Sequence, residues 1–378
     1  MPEKVAQSAN PKSSNAPSTQ EKKQGKPSTK PIGRVNPLDV ALSIRHISIM
    51  LKSGMSLSEA LNVVASQTAN PKLKRAYELV LADVQGGMTV ADAMKKHPKA
   101  FSHIVVSVIS VGEEGGTLEQ NLIFLADFLK KNHDLNKKVK GALVYPVIVF
   151  AITVIEMVGV MFFILPKLEE LFESFTGIPP FTLFILNMSK FIRENIFLII
   201  GVTVVVVVAS VLLLRTKAGI RFKDRFMLKF PIIKELNKKH IITNFSRTLG
   251  ILLHSGIPIS SALEIASRTV ENSVYTGMLV QVHQSVKSGN TLSSSLEKFP
   301  VYFPSTFTKM IQIGEETGTL EDNLNYLYDF YAEEVTDMSN NLATLLEPLL
   351  LVFIGIMIGV LAIMIVGPIY QLTGSINN

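Results

Sequence analysis

The amino-acid sequence predicts an all-α membrane protein: two homologous cytoplasmic helical-bundle domains of about six helices each, and three transmembrane helices. Three observations carry that expectation. Three apolar stretches are each about as long as the ~20 helical residues a hydrocarbon core demands. The chain matches itself without a gap when shifted by 202 residues. Between the apolar stretches, apolar residues recur at three- and four-residue spacing, broken by short polar segments carrying Gly, Pro, Ser or Thr, which is the helical period.

Composition narrows the function classes. Of 378 residues, 47 % are hydrophobic and 18 % charged, a balance that suits a membrane protein with soluble parts. Cysteine is absent, which excludes disulfides, zinc–thiolate sites, iron–sulfur clusters and cysteine nucleophiles. The formal net charge is +6, and its placement decides what it means. Basic residues crowd beside the apolar stretches and do not interleave with aromatic residues, so the excess points to cytoplasmic loops of a bilayer protein and away from nucleic acid.

Taking the elements in order, residues 1–36 are rich in Pro, Ser, Lys, Asn and Gln and lack aromatic residues, so they bury too little to offset ordering. They read as a disordered, basic cytoplasmic tail in which no apolar core of a signal peptide follows the first lysines. A solvated leader is the plain reading, with contact to anionic membrane lipid or an acidic partner as the alternative.

Residues 37–141 form the first cytoplasmic repeat. Its first helix, around Leu42 to Lys52, stops at Ser53 and Gly54, where glycine takes the left-handed conformation. Ser56 and Glu59 have capping-box spacing for the second. Gly86 and Gly87 close a third, Thr89 opens a short fourth, and His97 with Pro98 end it. A helix beginning at Thr117 shows no break before the membrane. If continuous to Leu165 it is a rod of about 70 Å.

The spans are expected at 142–165, 196–214 and 345–367. Lys130, Lys131, Lys137, Lys138 and Lys140 precede the first, and Arg215, Lys217, Arg221, Lys223, Arg225 and Lys229 follow the second, so both flanks read as cytoplasmic. The link at 166–195 carries Glu169, Glu170 and Glu173 with few basic residues, and the tail at 368–378 has no charge after Tyr370. These are expected outside, giving an N-terminus in and a C-terminus out. Pro146 and Pro348 sit just inside the bilayer and are expected to kink their helices on entry.

The second cytoplasmic repeat, 215–344, follows from the shift. Leu51, Gly54, Ser58, Ala60 and Leu61 fall on Leu253, Gly256, Ser260, Ala262 and Leu263. Gly112, Glu113, Glu114, Gly116, Thr117, Leu118, Glu119, Asn121 and Leu122 fall on Gly314, Glu315, Glu316, Gly318, Thr319, Leu320, Glu321, Asn323 and Leu324.

That twice-repeated Gly-Glu-Glu-x-Gly-Thr-Leu resembles the type II secretion system F-protein family, with Leu-x-x-Gly-x-x-x-Ser-x-Ala-Leu upstream and a proline-containing span downstream. These are the inner-membrane platform proteins of type II secretion and type IV pili. The resemblance covers about residues 38 to 370. It implies a bacterial inner (plasma) membrane platform that couples a cytoplasmic assembly ATPase, on a separate chain, to insertion or extraction of pilin or pseudopilin subunits. It further implies contact with other inner-membrane assembly proteins and a homo-oligomer, as a dimer.

The candidate site residues follow. Gly112 and Gly314 can end one helix, Gly116 and Gly318 share the turn, and Thr117 and Thr319 can cap the next, a purely structural role. The pairs Glu113, Glu114 and Glu315, Glu316 exceed what a cap needs and are candidates for an ATPase interface, for pairing with basic residues of the other repeat, or for a shared divalent cation. Glu156, mid-span, is expected to face protein or water, as a helix-packing contact or a contact with a pilin helix. Glu347, beside Pro348, is expected to reach interfacial water. Gly355 and Gly359 offer a close-packing face for another helix. No catalytic, cofactor-binding or metal-ligating set is expected: no phosphate-binding glycine loop occurs, and the seven histidines lack His-x-x-x-His spacing. His254 reads as a polar surface or capping group. The alternative function is a small membrane transporter or channel component, which would need more polar residues along the spans than Glu156.

Overall fold

The computed structural model describes residues 35–142, 144–172, 180–227, 231–270 and 272–376. Among the described residues there are helices and no strands. Residues 1–34, nearly all of the expected tail, lie outside them. Val35 is buried, and Asn36 caps the first helix by accepting from the Leu38 amide.

The first repeat is α1 (Pro37–Lys52), α2 (Leu57–Gln67), α3 (Pro71–Gln85), α4 (Val90–Lys95), α5 (His103–Gly115) and α6 (Leu118–Ala142). Its helix ends follow from local chemistry. Gly54 and Gly87 take positive φ (85° and 92°), where a Cβ would be strained, and so turn the chain after α1 and α3. Ser56 and Glu59 form the expected capping box at the start of α2. Asn70 and Thr89 cap α3 and α4 with side-chain oxygens.

Beyond α6 the chain runs through α7 (Val144–Gly159), a five-residue π turn (Val160–Ile164) and α8 (Leu165–Phe172). The stretch from Leu118 to Glu170 is 53 residues, about 80 Å of helix. The expected link at 166–195 is a helical hairpin over its described residues: α9 (Pro180–Glu194) packs Ile185 and Leu186 against Met161 and Leu165. Glu173 lies outside the described residues. Then come α10 (Ile196–Arg215) and α11 (Lys217–Met227).

The second repeat is α12 (Pro231–His254), α13 (Ile259–Thr269), α14 (Ser273–Lys287), α15 (Leu292–Glu297), α16 (Ser305–Thr317) and α17 (Leu320–Ile376). From the end of α12 to the start of α17, every helix boundary is the first repeat's boundary moved by 202 positions. The positive-φ glycines move with them: Gly256, Gly289 and Gly318 answer Gly54, Gly87 and Gly116.

Both bundles close on a buried aromatic pair, reached by different routes. In the first, Tyr77 of α3 meets Phe101 edge-on, its ring centroid 5.3 Å away. In the second, Tyr275 of α14 meets Phe303 at 5.8 Å. The two tyrosines are not equivalent positions: Tyr77 corresponds to Leu279 and Tyr275 to Leu73, all four buried. A Leu and a Tyr have exchanged places one turn apart, which preserves volume in a close-packed core. Burial contributes roughly 1.5–3 kcal/mol for each such side chain. The two bundles share one continuous apolar core, with α5 and α6 of the first packed on α12, α13 and α17 of the second.

Two described stretches are long and apolar enough to cross a membrane, within Leu118–Glu170 and at Ile196–Leu214. The third expected span lies inside the 57-residue α17, where Leu350–Val360 is apolar and several neighbouring side chains lie outside the described residues. The chain is an all-α membrane protein.

Candidate functional site

The Gly-Glu-Glu-x-Gly-Thr segments sit where α5 turns into α6 and α16 into α17. In each, the first carboxylate points inward. Glu113 accepts from the Val90 and Ala91 amides at 2.7 and 2.8 Å. Glu315 accepts from the Leu292 and Ser293 amides at 2.5 and 2.9 Å, and from the Ser293 hydroxyl at 2.6 Å. Those amides open α4 and α15, where backbone N–H groups have no helical acceptor and the helix dipole favours an anion. Each glutamate therefore ties its own bundle together across 22 or 23 residues of sequence.

The second glutamates behave differently. Glu114 is exposed and accepts from the Ser110 hydroxyl at 3.0 Å. Glu316 is exposed and accepts from the Gln312 amide at 2.8 Å. The expected acidic pair is thus split: one member is consumed by a helix start, and one faces outward.

The glycines also divide. Gly112 and Gly314, expected to end a helix, lie inside α5 and α16. A Cβ there would sit 2.9 or 2.8 Å from the Cα of Leu118 or Leu320, so glycine is required by the close approach of the next helix. Gly116 and Gly318 do the terminating, in the left-handed conformation at φ 70° and 73°. Thr117 and Thr319 directly precede α6 and α17. The Thr319 hydroxyl pairs with that of Thr317 at 2.6 Å.

A second constellation, missed by sequence reasoning, joins the repeats. Arg247 of α12 is 8 % exposed, and its guanidinium lies 4.2 Å from the Tyr328 ring centroid and 5.3 Å from that of Phe128. It donates to the Asp127 carbonyl at 3.0 Å. Burial lowers its basicity, opposed by Tyr328 and nearby acids. Arg45, its counterpart on α1, is half-buried and donates to the Asp127 carboxylate at 3.0 Å. Nearby, His254 Nδ1 shares a 2.5 Å hydrogen bond with Glu321, and its ring centroid lies 3.7 Å from that of Phe124. His254 is therefore a repeat-to-repeat contact. The signal available in sequence was the paired Arg45 and Arg247 at one register, but nothing there said which one is buried.

Beyond Arg247 the two exit helices stay in contact along α6 and α7, with Val360 of α17 packed near Met161 and Leu165. Lys131, Lys137 and Lys138 of α6 face Glu333 and Asp337 of α17 across an open groove of about 900 Å³. Farther along, Pro146 is buried and Pro348 exposed, although they are equivalent by sequence. Neither interrupts its described helix. Glu156 of α7 is exposed among the described residues. Glu347 lies in α17 with its side chain outside the described residues. Gly355 and Gly359 have open space where a Cβ would be, with no described atom within 4 Å. No group of three or more potential metal-ligating side chains occurs among the described residues.

The chain matches the family described as "Type II secretion system (T2SS), protein F" over residues 43–166 and again over 245–368. Those two segments are separated by the same 202-residue shift that relates the bundles. It is 33 % identical over 346 residues to the type IV pilus assembly protein PilC of Myxococcus xanthus, covering 91 % of this chain and 83 % of the relative. It is 33 % identical over 344 residues to PilC of Thermus thermophilus, covering 90 % and 84 %. Against the type II secretion system protein F of Xanthomonas campestris it is 27 % identical over 363 residues, covering 93 % and 88 %. A duplicated bundle whose two copies carry the same internal glutamate clamp, matched twice at the same spacing and along nearly its whole length, belongs to the type II secretion system protein F family.

Proposed function

We propose that this chain is the membrane platform of a type IV pilus or type II secretion assembly machine in a bacterial inner membrane. A cytoplasmic assembly ATPase on a separate chain engages the bundles, and their exit helices carry its motion to the bilayer, where pilin or pseudopilin subunits are inserted or extracted. One observation carries the reading: both bundles, fused into one core, continue as helices, one of 53 and one of 57 residues, into apolar segments. A packed helix transmits displacement with little loss because its backbone hydrogen bonds are all internal. The proposed topology places the N-terminus and both bundles in the cytoplasm and the C-terminus outside, from the basic flanks at Lys137 to Lys140 and Arg221 to Arg225.

The outward glutamates Glu114 and Glu316 are the proposed ATPase contacts, since Glu113 and Glu315 are occupied. Contacts with other assembly proteins, and a second copy in a homodimer, would cover what this chain leaves open in the membrane: the Glu156 face, the Gly355 and Gly359 face, and α10, which is unburied along its apolar length. A carboxylate at mid-span is costly against lipid, so such a partner would offer it a polar contact. The test is Glu114→Lys with Glu316→Lys in cells. The protein stays in the membrane at normal level while fibre assembly or secretion is lost. Normal assembly would remove these residues from the ATPase interface.

A further inference from the structure

We infer that α11 is an interfacial helix that lies on the cytoplasmic leaflet and binds anionic lipid headgroups, fixing the height and tilt of the second bundle against the membrane. This rests on the proposed topology, in which α10 ends on the cytoplasmic side.

The junction sets the geometry. Only Thr216 separates α10 from α11, in an extended conformation that ends the first helix, and its hydroxyl accepts from the Gly219 amide at 3.0 Å to start the second. A Cβ on Gly219 would overlap the carbonyl oxygen of Leu213, so the first turn of α11 lies against the last turn of α10. The helix thereby starts tight against the end of the apolar stretch, at the level where headgroups begin.

Residue placement then sorts the faces. At about 100° per residue, Phe222 and Phe226 both lie about 160° around the helix from Asp224. Asp224 is 3 % exposed and accepts from the Ser273 amide at 2.8 Å, capping the start of α14 in the second bundle. The opposite side carries Phe222, 69 % exposed, stacked on Phe226, 49 % exposed, with ring centroids 6.2 Å apart. Arg225 lies about 60° beyond Phe222 and Lys223 about 60° beyond Phe226, with Arg221 farther round; all three are exposed. Lys223 reaches the inward Asp224 only at 4.0 Å. Asp224 is the one acid of α11, so the outer face presents aromatic rings between cations and no anion.

That is the arrangement of a helix lying in the membrane plane, rings sunk at the acyl boundary and cations at the phosphates. Each Lys or Arg near an anionic surface shifts the seated population about fivefold. Because Asp224 holds the α14 start from the other side, seating the helix seats the bundle.

The chain has no tryptophan and no cysteine, which makes the test clean. Phe222→Trp is introduced in the full-length protein, reconstituted in vesicles of phosphatidylcholine alone or with phosphatidylglycerol. The reference reporter is Val301→Trp, 61 % exposed on the loop between α15 and α16. The expected result is that bromine-labelled lipid quenches Trp at 222 more than at 301, with stronger quenching when phosphatidylglycerol is present. Arg221→Gln with Lys223→Gln and Arg225→Gln should return it to the phosphatidylcholine level. Equal quenching at both sites, or quenching at 222 by aqueous iodide instead, overturns the proposal. A charge-independent signal overturns the anionic preference. Single cysteines at Lys137 and Arg221, labelled with an impermeant reagent, read the topology separately. Labelling from opposite sides would sink the platform topology while the tryptophan result still decides whether α11 touches lipid.

Discussion

The two bundles share a framework helix for helix yet use their equivalent polar positions differently, and the difference shows how one repeat came to lean on the other. The glutamate clamp is duplicated intact: Glu113 and Glu315 bind the same two amides of the same short helix. The arginines are not. Arg247 is buried between rings contributed by both repeats, whereas Arg45 is only half-buried and pairs within its own. The apolar neighbours agree, since Ile251 is 7 % exposed and its counterpart Ile49 is 55 % exposed. The repeats therefore meet through unlike faces, a head-to-tail contact in the sense used for subunits, and only one copy of each face is filled. The glutamate clamp inside each bundle is duplicated, and the Arg247 contact between the bundles is single.

The largest expected effect tests that division. Arg247→Ala removes a buried cation from two rings and a carbonyl, at a cost of about 3 kcal/mol. Arg45→Ala removes an exposed ion pair worth under ~1 kcal/mol. Thermal unfolding followed by far-UV circular dichroism in detergent should show a large downward shift for the first and almost none for the second. Because the repeats share one core, wild type should melt in one transition and Arg247→Ala in two. Equal shifts for the two arginines would mean that the joint does not depend on burial.

Next in size is the clamp. Glu113→Ala leaves two half-buried amides without an acceptor, costing about 2 kcal/mol, and Glu315→Ala should cost at least as much because it also strands the Ser293 hydroxyl. Glu114→Ala and Glu316→Ala, each losing one exposed side-chain contact, should lie within ±0.5 kcal/mol of wild type. The readout is the midpoint shift of all four variants side by side. A destabilised Glu114→Ala would show that the outward glutamate is also structural, and would weaken its assignment to a partner.

Much of this fold is legible in the sequence because the shift of 202 transfers every turn signal from one bundle to the other, and Ser53 with Gly54 or Thr89 marks an end by its own chemistry. The inward role of Glu113 is not legible in the sequence, for a definite reason. The amides that Glu113 binds are 22 and 23 residues upstream, and periodicity within one helix carries no record of an acceptor supplied by another. Gly112 shares that limit, since a glycine required by the approach of Leu118 looks, in sequence, like a helix terminator. The faces of α11 were legible: the wheel positions of Phe222, Phe226 and Asp224 need no coordinates, and only the cap at Ser273 does.

The smallest expected effect concerns a place where the backbones of the exit helices differ. After the first bundle, Val160–Ile164 form a π turn, while the equivalent residues 362–366 are ordinary α-helix in α17. A π turn widens the helix by one residue and disturbs the regular hydrogen-bond ladder, so it persists where a neighbour supplies a bond. Ser189 of α9, fully buried, supplies one, donating its hydroxyl to the Met161 carbonyl at 3.3 Å. A single long hydrogen bond of this kind is worth about 1 kcal/mol, and removing its donor leaves the carbonyl unpaired in an apolar cluster. Ser189→Ala should therefore loosen the hairpin of α8 and α9 without touching the bundles: faster amide exchange at Val160–Ile164, and an unchanged melting midpoint for the shared core. If exchange there were unaltered, the turn would be set by the α7 sequence alone. The first exit helix would then be bent by its own residues, with α9 merely packed against a shape already made.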